Sequence, residues 1–399
     1  MFAVEQPGIS HRTAEPAFTE IFELSTETWR SLMSPKLSVV ICSLNGAAGV
    51  DRCLQALEKQ TMGSSLELIV VDDGSTDTTS DVGRTHEAIV IRHATKRGLA
   101  AARNSGVNGA TAPIVAFLDD DCEPEPCWAE RLLAAYDEDD TVIGVGGPIL
   151  LGNHDGFIFG YLKRNSPFKP QELNLAKSNN IFYRLYLYLG RQWTMKEQLV
   201  RRDVYSILGG NMSFLRQALV DAGRFDERFS FGGEELDLCI RMRRTFPSGR
   251  IVFLPEARVA HHFKPSRRSM KPSLHDTLRR SWAYGRGSAR LYRKWPSMPP
   301  TFFPGPLLVM AMLMVSVRRR PLAIAALVTP HLLYPRGIRY AIASRSAASL
   351  LDAYVQLAQE TNGNIGFLEG LWRFRHLVPD RGVETLQVID AREGTGLVP

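Results

Sequence analysis

Cysteine is scarce in this 399-residue chain: Cys42, Cys53, Cys122, Cys127 and Cys239 make five, an odd number with no C-x-x-C pair. That pattern argues against both a disulfide framework and a zinc ribbon, and leaves small buried side chains in a reducing compartment. Long apolar runs are missing too. The nearest candidates are Phe302 to Val317, 16 residues, and Pro321 to Tyr334, 14 residues, with Arg318, Arg319 and Arg320 between them. At 1.5 Å per residue the longer one reaches about 24 Å, short of the roughly 30 Å hydrocarbon core of a bilayer. The first 35 residues carry Glu5, Glu15, Glu20, Glu23 and Glu27 and no apolar stretch of signal-peptide length, so no secretory signal is expected there. Acid is the last scarcity. From Lys264 to Arg345, 16 Lys or Arg face the single acid Asp276, a local balance of +15. The whole chain has 48 Lys+Arg and 42 Asp+Glu, a net +6, so the remainder carries −9. One part of the molecule is built to meet anions.

What is present is ordinary globular material. With 44% hydrophobic and 23% charged residues, wholesale disorder and collagen-like repeats are excluded, and the length favours two domains over one. Leu37 to Cys42 and Leu66 to Val71 are short β-branched runs separated by a helical stretch around Val50 to Lys59. Ala88 to Ile91, a helix-like Leu99 to Asn108 and Ile114 to Leu118 continue the alternation. Strands alternating with single helices predict right-handed crossovers and a mostly parallel sheet, buried on both faces. Ligands of such sheets bind beyond the carboxyl ends of the strands.

Two acidic clusters open at that edge: Asp72-Asp73-Gly74-Ser75-Thr76-Asp77 after one strand and Asp119-Asp120-Asp121 after another. Either alone could be turn and N-cap chemistry. Three consecutive carboxylates at the end of a buried strand repel one another unless a cation or several donors compensate. Mg²⁺ suits such a place, because it takes one or two protein carboxylates and completes its sphere with phosphate oxygens and water.

The order Ser38 to Asn45, Val70 to Asp77, Arg97 to Gly106 and Phe117 to Asp121 resembles the family 2 glycosyltransferases, and the resemblance continues through Gly209-Gly-Asn-Met-Ser213, Gly223 to Glu227 and Gly233 to Arg241. It covers about residues 36 to 265, and its strength lies in seven blocks in sequence. The resemblance implies a GT-A fold, a Rossmann-like α/β architecture with a mostly parallel sheet and flanking helices. It also implies a nucleoside-diphosphate-sugar donor, a divalent metal (Mn²⁺ or Mg²⁺) and inversion at the anomeric carbon. By the same resemblance Asp119 to Asp121 form the Asp-x-Asp element, with Asp121 on the metal, Asp119 reaching toward ribose or metal, and Asp120 between them. Asp73 or Asp72 would meet the base, Ser43 to Asn45 would line the nucleoside pocket, and Arg97, Arg103 and Asn104 would sit near the nucleotide. The family's first motif commonly ends Thr-Tyr-Asn, whereas this chain has Ser43-Leu44-Asn45.

The general base is expected from Gly232-Gly233-Glu234-Glu235-Leu236-Asp237, which opens a helix running to Arg244. The family usually reads Glu-Asp here and uses the second residue, which places the role on Glu235 beside Glu234 and leaves Asp237 as a rival. The competing view is that acids in a first helical turn only favour the helix dipole. His261 or His262 follows a strand-like stretch; in some relatives a His here completes the metal site, and His261 fits the spacing better, although a structural role is equally compatible. Gly209 to Ser213 is expected as a loop before a helix at Arg216 to Ala222. Trp193 and Trp282 could stack on sugars or fill core.

The basic stretch, with Arg267, Arg268, Lys271, Arg279, Arg280, Arg286, Arg290, Arg293 and Lys294, precedes the apolar segments. No nucleic-acid-binding module is visible. Short apolar segments flanked by arginines suggest a re-entrant pair or interfacial helices on anionic lipid, against the alternative of two buried core helices. A helix from Ala347 to Gln359 is expected to bury Leu350, Leu351, Tyr354 and Leu357, and the last residues, Ala391 to Pro399, are expected to be disordered. The divisions are thus an N-terminal extension 1–35, a catalytic domain 36–265, a basic linker or helix 266–300, apolar membrane-associated segments 301–345 and a C-terminal helical region with tail 346–399. The expected function is transfer of a sugar to a lipid-linked or polysaccharide acceptor at the cytoplasmic side of the cell membrane, in cell-envelope or exopolysaccharide synthesis. A silent nucleotide- or glycan-binding scaffold and a sugar-phosphate nucleotidyltransferase are the alternatives; the latter needs a basic triphosphate loop, and Ser43 to Val50 has no base.

Overall fold

The computed structural model describes residues 34–380 apart from short stretches at 153–154, 174–179, 194–198, 230–231, 264–272, 299, 301, 319–321 and 346. Most of the N-terminal extension, Arg267, Arg268, Lys271, Arg319, Arg320, Pro321 and the expected disordered tail lie outside the described residues, as does part of the region between Arg191 and Asp203.

The chain begins β1 (Leu37–Ser43), α1 (Ala47–Glu58), β2 (Leu66–Asp72), α2 (Thr79–Thr85), β3 (Ile89–Arg92), α3 (Leu99–Gly109) and β4 (Ile114–Asp119), the alternation that the apolar runs predict. Alternate side chains of β1 enter opposite cores. Val39 and Ile41 pack with Val50, Leu54 and Leu57 of α1, while Val40 packs with Ala100 and Ala102 of α3. Both faces of the strand are therefore dry, and its apolar run is continuous.

After β4 come β5 (Cys122–Pro124), α4 (Trp128–Asp137), β6 (Val142–Gly146), β7 (Ile149–Leu151), α5 (Phe157–Arg164), α6 (Ile181–Trp193), β8 (Arg202–Asp203), β9 (Asn211–Leu215), α7 (Arg216–Asp221), α8 (Glu234–Thr245), β10 (Arg250–Phe253) and β11 (Val259–His261). The main sheet has the order β3-β2-β1-β4-β9-β6-β10-β8; six of its eight strands run one way, and β9 and β8 oppose them. A small sheet, β5-β11-β7, sits beside it. The α/β architecture with a mostly parallel sheet and flanking helices is as expected.

One expectation is corrected here. Asn211 to Ser213 belong to a central antiparallel strand, paired to β4 and β6, and only Gly209-Gly210 precede it as a turn. The strand is disguised by polar residues that are buried with their partners. Asn211 accepts from Trp128 Nε1 at 2.9 Å and donates to Ala257 O at 2.8 Å, while Ser213 donates to Val145 O at 3.0 Å. Satisfied in this way, buried polar groups cost little, and the sequence reads as a loop.

The remainder is helical: α9 (Leu274–Lys294), α10 (Pro304–Arg318), α11 (Leu322–Leu333), α12 (Arg336–Ser344) and α13 (Asp352–Arg373). Ser273 caps α9 by accepting from Asp276 N. α13 runs along α9, with Asn362 Nδ2 donating to Leu278 O and Arg293 Nη2 to Leu371 O. It is longer and set differently than expected: Ala347–Leu351 form a 3-10 turn, Leu350 and Leu351 are exposed, and Ala353 and Val355 are the buried apolar residues of its first turn. Glu360 of α13 accepts from Tyr188 OH of α6 at 2.6 Å and from Tyr334 OH after α11 at 2.7 Å, tying three elements together. Among the described residues no helix is long and apolar enough to cross a membrane. α10 is not a buried core helix either, since Leu307, Leu308, Met310, Leu313, Met314 and Val315 are exposed.

Candidate active site

The site is built where β1, β2 and β4 end. Ser43 Oγ, the last residue of β1, donates to Asp120 Oδ2 at 2.5 Å, so Asp120 is turned inward and buried. Asn45 joins two strand ends: its Oδ1 accepts from Thr76 N at 2.8 Å and its backbone N–H donates to Ser75 Oγ at 2.9 Å. Asp72 is fully buried and accepts from Ser75 N at 2.7 Å and from Ser80 Oγ. Burial works to raise its carboxyl, but these hydrogen bonds win and hold it below the usual range. Asp73 faces His93 Nδ1 at 2.7 Å and accepts from the backbone N–H groups of Arg97 at 2.7 Å and Gly98 at 2.8 Å. Both acids of this pair thus shape the turn. Arg97 itself reaches Glu227 at 3.2 Å, and Asn104 clasps the backbone of Phe225 through both ends of its amide.

Arg103 is the centre of the carboxylate cluster. Its side chain is 2% exposed; Nη1 lies 3.0 Å from Glu234 Oε1 and 3.9 Å from Glu235 Oε1, and Nη2 lies 3.5 Å from Asp119 Oδ1. Burial alone would lower the guanidinium, yet the charges of Glu235, Glu234 and Asp119 raise it above its ordinary value. The cluster draws on α3, β4 and α8, which are far apart in sequence. Gly209 and Gly210 make the approach possible. A Cβ at Gly209 would stand 2.3 Å from Arg103 Nη2 and 2.5 Å from Glu235 Oε1, and one at Gly210 would stand 2.9 Å from Asp119 Oδ2.

The two glutamates differ. Glu234 is sealed in with a side chain 4% exposed, whereas Glu235 retains 22%. Burial pushes the Glu235 carboxyl up to about 7, with Glu234 adding to the shift and Arg103 opposing it. A carboxyl poised near neutrality and partly open to solvent can take a proton. Asp237 cannot serve there. It is fully buried two residues past Glu235 on another side of the helix, with Trp295 Nε1 at 2.8 Å, Lys294 Nζ at 2.6 Å and Arg241 Nε at 2.9 Å, so the expected rival is an anchor of α8.

Asp121 and His261 meet because β5 pairs with β11, which sets Cys122 opposite His261. His261 Nε2 lies 3.3 Å from Asp121 Oδ1. Burial pushes the imidazole down to about 4, so it is neutral, and its Nδ1 is a buried atom with no hydrogen-bond partner among the described residues. A neutral imidazole beside a carboxylate at that spacing fits two neighbouring positions of an octahedral divalent ion, which are about 3 Å apart for bonds near 2.1 Å. Asp119 faces Arg103 instead, and among the described residues no three His, Cys, Asp or Glu side chains gather to hold an ion alone. His262 turns toward Glu123 at 3.3 Å.

Two further residues, both on α9, border the site with no motif to mark them. Arg280 stacks over Phe263, 4.9 Å from the ring centroid, and Phe263 in turn packs against His261. Tyr284 lies against Gly232. Neither tryptophan singled out as a sugar platform is core: Trp193 is exposed under Arg339, and Trp282 is partly exposed under Arg286. Burial pushes the thiols of Cys53, Cys122 and Cys239 up, as befits small core residues.

A mostly parallel sheet with an acidic carboxyl edge, a carboxylate beside an imidazole and a raised glutamate defines an α/β enzyme of group-transfer type. Residues 38–220 match the family model described as glycosyl transferase family 2, and residues 170–338 match that of glycosyl transferase family group 2. The chain belongs to the family 2 glycosyltransferases. Glycosyltransferase AglE of Haloferax volcanii is 30% identical over 207 residues, covering 50% of this chain and 59% of that one. Glucosyl-dolichyl phosphate glucuronosyltransferase of the same organism is 26% identical over 238 residues, 57% of this chain and 69% of that one. The chain spans about half the length of several curated relatives it matches. Among solved structures, the mannosyltransferase PcManGT from Pyrobaculum calidifontis in complex with GDP-Man and Mn²⁺ aligns with a TM-score of 0.49 at 18% identity, over 85% of this chain and 88% of that one.

Proposed function

We propose that this protein transfers a sugar from a nucleoside-diphosphate donor to a hydroxyl of a lipid-linked or polysaccharide acceptor, with inversion, at the cytoplasmic side of a membrane. The observation that carries the reading is Glu235, a partly open carboxyl raised to about 7, held beside Arg103 and Asp119 at the strand edge. In the reaction the acceptor oxygen forms a bond to the anomeric carbon, the bond from that carbon to the diphosphate breaks, and the hydroxyl proton passes to Glu235. Direct attack on one face with departure from the other inverts the centre. Asp121 and His261 would hold a divalent ion, which when bound supplies positive charge to the departing diphosphate. Asp73, Asn45 and Ser43 shape the nucleoside end through the turn they knit together. Arg103 holds Glu234 in place at 3.0 Å, which leaves the more open Glu235 to meet the acceptor.

The exposed apolar side chains of α10 support attachment to a lipid surface, and the local charge of +15 supports an anionic one. The glucosyl-dolichyl phosphate relative supports a lipid-linked acceptor. The test is to incubate the full chain with a panel of nucleotide sugars and Mn²⁺, with and without chelator, and to measure release of nucleoside diphosphate. Release that stops with chelator is expected. Nucleotide binding without turnover of any donor would favour a silent scaffold, and pyrophosphate release from a nucleoside triphosphate would favour a nucleotidyltransferase.

A further inference from the structure

Helix α9 lies in the stretch expected as a basic linker or helix, and it borders the cluster. Arg280 and Tyr284 are one helical turn apart and share a face. Arg280 stands over Phe263 next to His261. The Tyr284 ring rests on Gly232, where a Cβ would come within 2.8 Å of its Cδ1. Gly232 and Gly233 have φ of +73° and +94°, the left-handed region in which a residue with a side chain is strained, and they lead straight into Glu234 and Glu235. The backbone turn that presents the glutamates is thus covered by a tyrosine.

The face spans both ends of the reaction centre. Burial pushes the Tyr284 phenol up, the charge of Glu235 adds to that shift, Arg280 opposes it, and Asp119 and Glu234 contribute further. Tyr284 is nevertheless 50% exposed, so part of the side chain is open to solvent. An aromatic face with a polar tip beside a proton acceptor suits the apolar face of a sugar ring whose hydroxyl must reach that acceptor.

We propose that Tyr284 is the acceptor platform of this site, taking one face of a sugar ring and holding one of its hydroxyls toward Glu235. The inference rests on the transfer reading above and adds the residue that selects the acceptor. It places the acceptor's contact on α9, so that the helices following the catalytic sheet belong to the site.

The test uses the full chain with Mn²⁺ and either UDP or GDP, and reads binding of n-octyl β-glucoside, β-galactoside and α-mannoside by saturation-transfer NMR and titration. Tyr284→Phe keeps the ring, while Tyr284→Leu keeps bulk over Gly232 and loses the aromatic face. Wild type is expected to bind at least one glycoside. The Phe variant should keep most of that affinity, and the Leu variant should lose roughly tenfold with nucleotide affinity and melting temperature unchanged. Wild type binding none of the glycosides, or the Leu variant binding as tightly as wild type, overturns the assignment. Failure of wild type to bind either nucleotide with Mn²⁺ would instead sink the transfer reading itself.

Discussion

Arg103 of α3 pairs with Glu234 of α8 at 3.0 Å, both side chains being almost wholly buried. The pair joins a helix that follows the nucleotide-side strands to the helix that presents the candidate base. Removing one partner of a buried pair strands the other charge and costs about 3–5 kcal/mol. Arg103→Met should therefore lower stability by about that amount in urea unfolding, and adding Glu234→Leu should recover much of the loss. A single variant as stable as wild type would show that the pair is not needed.

Glycine at 209 is required by its neighbours. A methyl group there would collide with Arg103 and with Glu235. Gly209→Ala should reduce turnover at least ~10-fold by displacing the base, with a stability change within about 1–3 kcal/mol, the usual range for overpacking. Turnover equal to wild type would mean that both side chains can step aside without consequence.

The raised carboxyl of Glu235 sets a pH dependence. A base must be ionised to accept a proton, so transfer should rise with pH through about 7 and level off above it. The stability effect has the opposite slope. A carboxyl raised in the folded state contributes stability that is complete below its unfolded value and is lost as pH rises through about 7. Glu235→Gln should remove that loss, so unfolding curves of the two proteins should diverge more at pH 8 than at pH 5.

Asp237 should behave as an anchor. Its oxygens receive Trp295, Lys294 and Arg241, and Lys294 also holds Asp226 at 2.8 Å. Asp237→Asn should lower the melting temperature, at a cost of about 3–5 kcal/mol for a broken buried charge network, while the pH profile of the remaining turnover keeps its midpoint. A shifted midpoint would return Asp237 to the chemistry.

Metal dependence should follow the Asp121 and His261 pair. His261→Ala should weaken Mn²⁺ at least ~10-fold, read by the thermal shift that Mn²⁺ and nucleotide produce together. An unchanged Mn²⁺ titration would place the ion elsewhere.

Much of this architecture is visible in the residues. β1, β2 and β4 announce themselves as apolar runs because both their faces are buried, and α8 begins at Glu234 as its preceding glycines suggest. β9 does not, because Asn211 and Ser213 are polar groups satisfied by distant partners that no local pattern reveals. The same holds for the site. The acidic strand ends are legible one by one, but the pairing of Arg103 with Glu234, the meeting of Asp121 with His261, and the demotion of Asp237 depend on contacts between remote segments. Arg280 and Tyr284 carry no motif at all, and only the packing of α9 against the Gly232 turn brings them in.

The most direct test of the account is turnover of a nucleotide sugar by Glu235→Gln beside Glu234→Gln, with nucleotide and Mn²⁺ binding measured on both. The account predicts that Glu235→Gln binds as wild type does and loses transfer by about 10²-fold or more, while Glu234→Gln is less stable yet retains turnover. Transfer that survives in Glu235→Gln at the wild-type rate would contradict it.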